Sequence, residues 1–386
     1  MRNFLLIIVL IVSAIVINSC ITPFEPAGVK NIDNMVVIEG DIIQNDTTKI
    51  IVSRSLAITD LNKINYITKA TVWVESEKGT VYSGKEELKS GKTQYLVNTK
   101  DIDISLKYKV CVKLLSGQRY ESDLLPILVS PPIDSIGFTR NYDGESVTFY
   151  VNTHDDQNKT KYYKWSYRED WEIQTQFLSL FVYDPVKMKV SEITFDKNRY
   201  YCWNYAYSSA VLITNTTNLS KDMVYQKALV TMGPGDRRIS SLYSMELRQM
   251  AISNEAYLYW ENIRKNADEI GGIFSPQPSE IGGNIRCTNN PNERVLGYIC
   301  ACAISKKRIF ASSDDIRVYK DIMNCEDVFV DAANPIPFET LYSTGYDIVN
   351  YSNDLGEESF WSLKHCVDCR LYGTKFKPSF WPNNHI

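Results

Sequence analysis

The sequence predicts a mainly β protein in which an N-terminal immunoglobulin-like β-sandwich is followed by a second β-rich domain with one prominent amphipathic helix. Three observations lead to this fold class. Short apolar runs alternate with period two, as in KATVWVES, where Val72 and Val74 would share one face of a strand and Trp73 the other. Turn-forming residues recur about every 8–15 residues, which is typical of short antiparallel strands. A helical period appears only near residue 253.

The first predicted domain covers residues 35–130. MVVIEGDI, KATVWVES and the strand–turn–strand segment YKVCVKLLSGQRYES follow one another there without a helical pattern. The segment LVSPPIDSI then interrupts the strands, and its two prolines, Pro131 and Pro132, predict a rigid joint. We therefore place a domain boundary at this point and predict a second domain over residues 131–386, beginning with the strands ESVTFYVNT and KYYKWSYREDWEI.

The predicted helix covers about residues 253–270. Ser253 can cap its N-terminus, Glu255 suits its first turn, and Gly271-Gly272 would end it. Apolar side chains recur at helical spacing: Ile252, Ala256, Tyr259, Trp260, Ile263, Ala267 and Ile270. Strands are predicted to resume at RVLGYICACAI and KKRIFAS, and the cysteine-rich tail after Trp361 is predicted to be irregular.

The start of the chain predicts export and lipid anchoring. One cation, Arg2, precedes an uncharged apolar run over 4–17, which is shorter than the roughly 18 residues of a transmembrane helix. The sequence Ile17-Asn18-Ser19-Cys20 is similar to a bacterial lipobox, in which the cysteine thiol receives a diacylglycerol. We therefore predict a signal peptide over 1–19, a lipid on Cys20 and an extended tether over 20–34. A plain cleaved signal with a chance cysteine is the alternative.

Composition argues against nucleic acid as a partner. Removal of residues 1–19 takes away only Arg2, which leaves 41 of the 42 basic residues against 46 acidic ones, a net charge of −5. Nucleic-acid-binding proteins usually present a basic face. The 25 tyrosines have two explanations, either packing in strands or aromatic platforms for sugars or other ligands.

Eight of the nine cysteines remain once Cys20 carries the lipid. An even number in an exported protein predicts disulfides, although the pairing cannot be read from sequence. Cys300 and Cys302 lie two apart in a predicted strand, about 6.6–7 Å from each other, which is too far for an unstrained bridge. We expect them to be buried free thiols or bonded elsewhere. Cys111 would point away from the face shared by its neighbours Val110 and Val112, and we expect it to be packed. The candidate disulfide cluster comprises Cys202, Cys287, Cys325, Cys366 and Cys369.

No catalytic motif of a known hydrolase, kinase or dinucleotide-binding fold is present, and the chain has three histidines. One of them begins the cluster His365-Cys366-Val367-Asp368-Cys369, which could bind a metal through thiolates, with Cys325 as a distant ligand. A disulfide knot that holds the tail is the interpretation we favour, because a second Cys-x-x-Cys is missing. We therefore predict no catalytic residues, no metal and no cofactor other than the covalent lipid.

Two further segments have both a functional and a structural interpretation. His154-Asp155-Asp156 with Asn158 could bind calcium, but a polar β-turn explains the same residues. The strand YYKWSYREDW places Tyr163, Trp165 and Tyr167 on one face, with Trp171 further along. These four aromatic side chains are candidate ligand-stacking residues, and packing in the core is the alternative.

Several stretches together resemble the domain of unknown function 4249 family of Bacteroidota outer-membrane lipoproteins. The resemblance implies a lipobox, an immunoglobulin-like N-terminal region and a C-terminal Cys-x-x-Cys. Members are typically encoded beside TonB-dependent receptors, which implies an accessory role in nutrient uptake. Cys300 and Cys302 depart from the family pattern. The stretches are YYKWSYREDWEI (162–173), YSMELRQMAISNEAYLYWENIRKNADEIGGIFSPQPSEIGGNI (243–285), CTNNPNERVLGYI (287–299) and CVDCRLYGTKFKPSFWP (366–382).

The sequence and the resemblance together predict a non-catalytic accessory or ligand-binding lipoprotein of a TonB-dependent uptake system. Its expected partners are a TonB-dependent outer-membrane receptor, the membrane through the lipid, and an unknown small ligand or glycan. The predicted location is the outer membrane, with the periplasmic or surface face undetermined. A structural or adhesive cell-envelope module is one alternative, and a glycan or peptide hydrolase is another.

Overall fold

The computed structural model describes residues 34–56, 64–89, 91–142, 144–268, 282–319, 325–353 and 357–382. Within these ranges the protein is mainly β, as the sequence predicts. No helix among them is long and apolar enough to cross a membrane. The predicted signal peptide, Cys20 and the tether up to residue 33 lie outside the described residues and stay predictions.

The N-terminal region is one hydrogen-bonded sheet that folds over its own core. Strand β5 makes this possible, because Val81–Ser83 pair with β4 whereas Gly84–Lys89 pair with β6. A side chain at Gly84, where the partner changes, would lie 2.7 Å from the carbonyl oxygen of Val72. The strands of this region are β1 Val36–Gln44, β2 Thr47–Arg54, β3 Asn65–Tyr66, β4 Thr71–Ser76, β5 Val81–Lys89, β6 Lys92–Asn98, β7 Lys107–Lys113, β8 Arg119–Ser122, β9 Leu125–Pro126 and β10 Leu128–Val129.

Alternation along these strands decides which side chains are buried. Val72 and Val74 are 1% and 0% exposed, while Trp73 between them is partly exposed, as the sequence predicts. Because side chains on successive residues point to opposite faces, one face of each strand contributes to the core. The resulting hydrophobic core contains side chains between Val36 and Ile127, and five more from later in the chain: Ile285, Cys287, Ile299, Ala301 and Ala303.

Three strands from much later in the chain complete this first sheet: β20 Ile285–Cys287, β21 Val295–Leu296 and β22 Ala301–Ala303. Strand β22 runs parallel to β1, with Ile42 opposite Ala301, and also pairs with β10. Near the predicted boundary the chain does pass from one core to the next, since Ile127 belongs to the first core and Ile133 to the second. The division into residues 35–130 and 131–386 stays a prediction, but strand pairing assigns part of residues 285–303 to the first sheet.

The second region is a sandwich of two antiparallel sheets around the core that begins at Ile133. One sheet comprises β11 Ile133–Arg140, β12 Val147–His154 and β18 Met223–Met232. The other comprises β13 Tyr162–Gln174, β16 Tyr201–Tyr207, β17 Leu212–Asn215, β19 Leu242–Ala251 and β23 Ser305–Ser312. A separate hairpin is formed by β14 Phe181–Asp184 and β15 Lys189–Glu192.

The predicted amphipathic helix is present as α1, Asn254–Asp268. Ser253 caps it as expected, because its hydroxyl accepts a hydrogen bond of 3.2 Å from the Ala256 amide. Ala256 and Tyr257 are buried in a small core that also contains Cys300 and Cys302. The glycines predicted to end the helix lie outside the described residues.

The C-terminal part contains more regular structure than the sequence indicates. A three-stranded sheet forms around fully buried Trp361 and packs against the β14–β15 hairpin. Its strands are β24 Asp327–Val330, β25 Tyr346–Ser352 and β26 Glu358–Leu363. The short helices are α2 Ser313–Ile316, α3 Phe338–Ser343 and α4 Lys364–Val367, and short 3₁₀ turns occur at Phe195–Lys197, Arg237–Ile239 and Cys369–Leu371.

Candidate functional site

Four of the five candidate disulfide cysteines are bonded. Cys202 pairs with Cys369, and Cys325 pairs with Cys366. Cys287 is a correction, because it is a free thiol buried in the first core on strand β20. Strand β20 pairs with β8 in the first sheet, whereas the other four cysteines lie in the second region and the C-terminal part, which the linear sequence does not indicate.

The three remaining cysteines in the described part of the chain are buried free thiols, as the sequence predicts. Cys111, Cys300 and Cys302 are 0%, 6% and 0% exposed and are not in disulfides. Burial raises the pKa of the Cys111 thiol to about 12, with nearby Glu121 adding to the effect. Such thiols remain protonated and unreactive at neutral pH.

The predicted stacking aromatics do not form an exposed platform. Tyr163, Trp165 and Tyr167 are 0%, 1% and 7% exposed and point into the core between the two sheets of the second region. Trp171 is partly buried and packs against the same core. The alternation correctly places the first three on one face, but a second sheet covers that face. Core packing is therefore the correct interpretation.

An open groove of about 840 Å³ lies where the first and second regions meet. Its apolar part comes from the connecting segment 128–132, from Tyr162 and from residues 251–252 before helix α1. Its polar part comes from Asp134, from the turn 154–161 and from Asn254. We call this cavity the junction groove. Its size lies within the range of about 300–1,000 Å³ that is usual for small-molecule sites.

The segment that lines the groove is held by buried hydrogen bonds. Gln249 is fully buried, and its amide nitrogen donates to the Pro131 carbonyl and to the Thr153 hydroxyl, both at 2.9 Å. Its amide oxygen accepts a bond of 2.9 Å from the Trp165 indole. Ser130 adds a further contact, because its hydroxyl accepts from the Ala251 amide at 2.8 Å. The groove is therefore pre-formed on a fixed wall.

The polar wall is organised around His154. Its Nδ1 lies 2.7 Å from Asp134 Oδ2, and its Nε2 lies 3.3 Å from Asp156 Oδ1. The hydrogen bond to Asp134 is the main reason why the pKa of His154 is raised above its ordinary value of 6.5, with both carboxylates adding attraction. Since the side chain is 42% exposed, solvent screens these interactions.

The adjacent turn is built by Asp155 and Asn158. The Asp155 carboxylate accepts hydrogen bonds from the amides of Gln157, Lys159 and Thr160 at 2.8–3.0 Å. Burial alone would raise the pKa of Asp155, but these bonds outweigh it and lower the pKa below its ordinary value. Asn158 has φ of +53° and accepts from the Asp222 amide. The carboxylate is thus committed to the turn, which favours a polar turn over a calcium loop.

The cluster around Cys366 has donor atoms of the metal-binding type. Cys325, His365 and Cys366 place their donor atoms within 4.8 Å of one another. The two sulfurs are bonded in a disulfide, however, and a disulfide sulfur is not a thiolate ligand. In the oxidised chain this group therefore acts as a covalent link between the segment before β24 and helix α4.

Two residues that shape the junction groove were not singled out from the sequence as site residues. Gln249 shares a strand face with Tyr243, Met245 and Leu247, so a lone polar residue on an apolar face was the available signal. Asp134 lies two residues after the proline pair, but sequence separation hides its contact with His154, which lies 20 residues later.

A family model described as "Domain of unknown function (DUF4249)" matches residues 21–308. The chain belongs to the DUF4249 family. The matched residues contain all of the junction groove, including the segment 128–132, the turn 154–161 and the start of helix α1. The DUF4249 match ends before Cys325, Cys366 and Cys369, so both cysteines of one disulfide and one cysteine of the other lie beyond it. No curated protein matches the chain.

Proposed function

We propose that this DUF4249 protein is a non-catalytic, lipid-anchored binding protein of the outer membrane that assists a TonB-dependent nutrient uptake system. The proposal for anchoring rests on the lipobox-like sequence that ends at Cys20. The family match begins at residue 21, directly after that cysteine, which agrees with a mature protein starting there. The link to a TonB-dependent receptor rests on the family resemblance.

The junction groove carries the binding part of the proposal. It combines an apolar strip, Leu128 to Pro132, with a polar wall that bears both charge signs. Small-molecule sites in proteins typically combine apolar lining with a few fixed polar groups. The groove therefore suits a small solute or glycan unit with one apolar face and several hydroxyl or charged groups.

Binding is favoured over hydrolysis by the state of His154. A catalytic histidine needs one ring nitrogen to serve a nucleophile or a water. Both ring nitrogens of His154 face carboxylates, those of Asp134 and Asp156. Both ring nitrogens of a histidine held in this way already have carboxylate partners, which raise its pKa and leave neither nitrogen as a free base.

A blocking substitution in the groove tests the binding proposal. Val129 lines the groove and is 60% exposed, so Val129→Arg should fill the site without disturbing a core. Val81→Arg is a matched control, because Val81 is 53% exposed on strand β5, away from the groove. Mono- and oligosaccharides and short peptides would be screened by thermal shift and then calorimetry. Binding that is lost in Val129→Arg but kept in Val81→Arg supports the proposal, whereas equal binding by both variants refutes it.

The proposed partner is tested separately by affinity purification from detergent-solubilised membranes. We expect tagged protein to recover a TonB-dependent β-barrel, and Cys20→Ser to release the protein from the membrane fraction. Recovery of no barrel would refute the partnership, and a membrane-bound Cys20→Ser protein would refute the lipid anchor. Protease treatment of intact cells distinguishes the surface face from the periplasmic face. A structural or adhesive module, the alternative function, predicts that Val129→Arg leaves all phenotypes unchanged.

A further inference from the structure

We propose that Cys325, His365 and Cys366 form a binding site for a divalent metal ion of the zinc type when their disulfide is reduced. Among the described residues, these three side chains are the group whose sulfur and imidazole donor atoms approach within 4.8 Å of one another. In the oxidised chain the disulfide occupies both sulfurs. Reduction would release two thiols beside an imidazole, which are the donors that Zn²⁺ prefers in proteins.

The spacing of the donors suits one tetrahedral ion. Zinc–sulfur bonds are about 2.3 Å long, so two thiolates on one ion lie about 3.8 Å apart. The two sulfurs are 2.08 Å apart in the disulfide and would move apart to this distance after reduction, and the imidazole donor already lies within 4.8 Å of both. Three protein ligands leave the fourth position of the tetrahedron to water, as in catalytic zinc sites.

The three ligands would stay close after reduction because other contacts hold their segments. His365 and Cys366 lie in helix α4, where the Cys366 carbonyl accepts a hydrogen bond of 3.0 Å from the Phe177 amide. Cys325 precedes β24, whose Asp327 pairs with Ser362 of β26. Strand β26 leads directly into α4, so the same small sheet positions both sides of the site.

Access distinguishes this disulfide from the other one. Cys325 and His365 are partly exposed, whereas Cys202 and Cys369 are both 0% exposed. A phosphine or dithiol can therefore reach the Cys325–Cys366 bridge more easily. A phosphine takes the oxygen of one water molecule and becomes the phosphine oxide, and the two protons of that water complete the two thiols. A dithiol instead gives up its own two protons and becomes a disulfide. Metal binding then releases both thiol protons and leaves two metal-bound thiolates.

Cobalt binding tests the proposal, since Co²⁺ bound to thiolates has an intense near-ultraviolet charge-transfer band. The purified protein would be reduced with a trialkylphosphine without oxygen, titrated with Co²⁺ and then with Zn²⁺. We expect one Co²⁺ per chain after reduction, displacement by Zn²⁺, and no band before reduction. Cys325→Ser and His365→Ala should each weaken Co²⁺ binding by roughly tenfold or more, because each removes a direct ligand. The double variant Cys202→Ala/Cys369→Ala should keep the band.

Three results would overturn the proposal. One is a reduced wild-type protein without the band, and another is a band that persists at full strength in Cys325→Ser. A band that persists in Cys325→Ser would assign the metal to other thiols, such as Cys300 and Cys302. The third is loss of the far-ultraviolet circular dichroism of the reduced protein even with Zn²⁺ present. Zinc retained after gel filtration gives a second measurement that does not depend on cobalt spectroscopy.

Discussion

The Cys202–Cys369 disulfide is expected to stabilise the protein more than the Cys325–Cys366 disulfide. The first bridge joins strand β16 to the 3₁₀ turn Cys369–Leu371 across a sequence separation of 167 residues. The second spans 41 residues and lies inside the loop that the first one closes. To test this, both cysteines of each disulfide would be replaced by alanine, because serine would place new hydroxyl groups in buried positions.

Loop length determines the expected magnitudes. A cross-link lowers the conformational entropy of the unfolded chain, and the effect grows with the logarithm of the number of residues enclosed. At 25 °C the chain-entropy relation gives about 5 kcal/mol for the 167-residue separation and about 4 kcal/mol for the 41-residue separation. The two double variants should therefore differ by about 1 kcal/mol in their free energies of unfolding, and this difference is the quantity to measure. Replacing Cys202 and Cys369 also removes buried packing against Ile173, which further lowers the stability of that variant.

Urea unfolding of the wild type and both double variants measures this difference. Far-ultraviolet circular dichroism and tryptophan fluorescence should be followed together, because coincident transitions justify a single free energy of unfolding. Reduced wild-type protein is the control, since it should be less stable than either variant. The entropic reasoning would be refuted if Cys325→Ala/Cys366→Ala lost as much stability as Cys202→Ala/Cys369→Ala, or more.

Three further predictions concern single residues. Gln249→Ala should lower the free energy of unfolding by about 2–4 kcal/mol in urea titrations, because it leaves the buried Trp165 indole and the Pro131 carbonyl without these partners. A loss below about 1 kcal/mol would contradict this prediction. His154→Gln should lower the melting temperature most below about pH 6.5. Because the pKa of His154 is raised in the folded state, its stabilising charge disappears as the pH rises through that pKa. A destabilisation that grows with pH would contradict this prediction. Gly40→Ala should lower the free energy of unfolding by about 2 kcal/mol or more, since φ is +141° and the new carbon would lie 2.2 Å from a backbone carbonyl oxygen. Gly79→Ala is the control and should lower it by less, because Gly79 has φ of +81° but open space around it.

Much of the fold follows from local patterns in the sequence. Alternation predicted strand β4 and its buried side chains, Val72 and Val74. The Ser253 cap and the helical spacing after it predicted α1 to within one residue at its start. Such features depend on neighbouring residues, so the sequence alone carries them.

Strand partners could not be predicted in the same way. The run RVLGYICACAI indicates buried strand, but nothing in it shows that Ala301 lies opposite Ile42, more than 250 residues earlier. Nor could the alternation of Tyr163 and Trp165 show that their shared face would be covered by a second sheet. Periodicity reports that residues share a face, whereas burial of that face depends on what packs against it.

The sequence by itself determined the fold class, the lipobox-like segment before Cys20, the family resemblance and the cysteine chemistry available to the chain. Only the tertiary structure decided that Cys202 meets Cys369, that Cys287 stays free and that His154 meets Asp134 in a groove held by Gln249. The reason is physical. Propensity, capping and periodicity act over a few residues, but a groove or a disulfide needs side chains from distant segments, whose proximity depends on the packing of the whole chain.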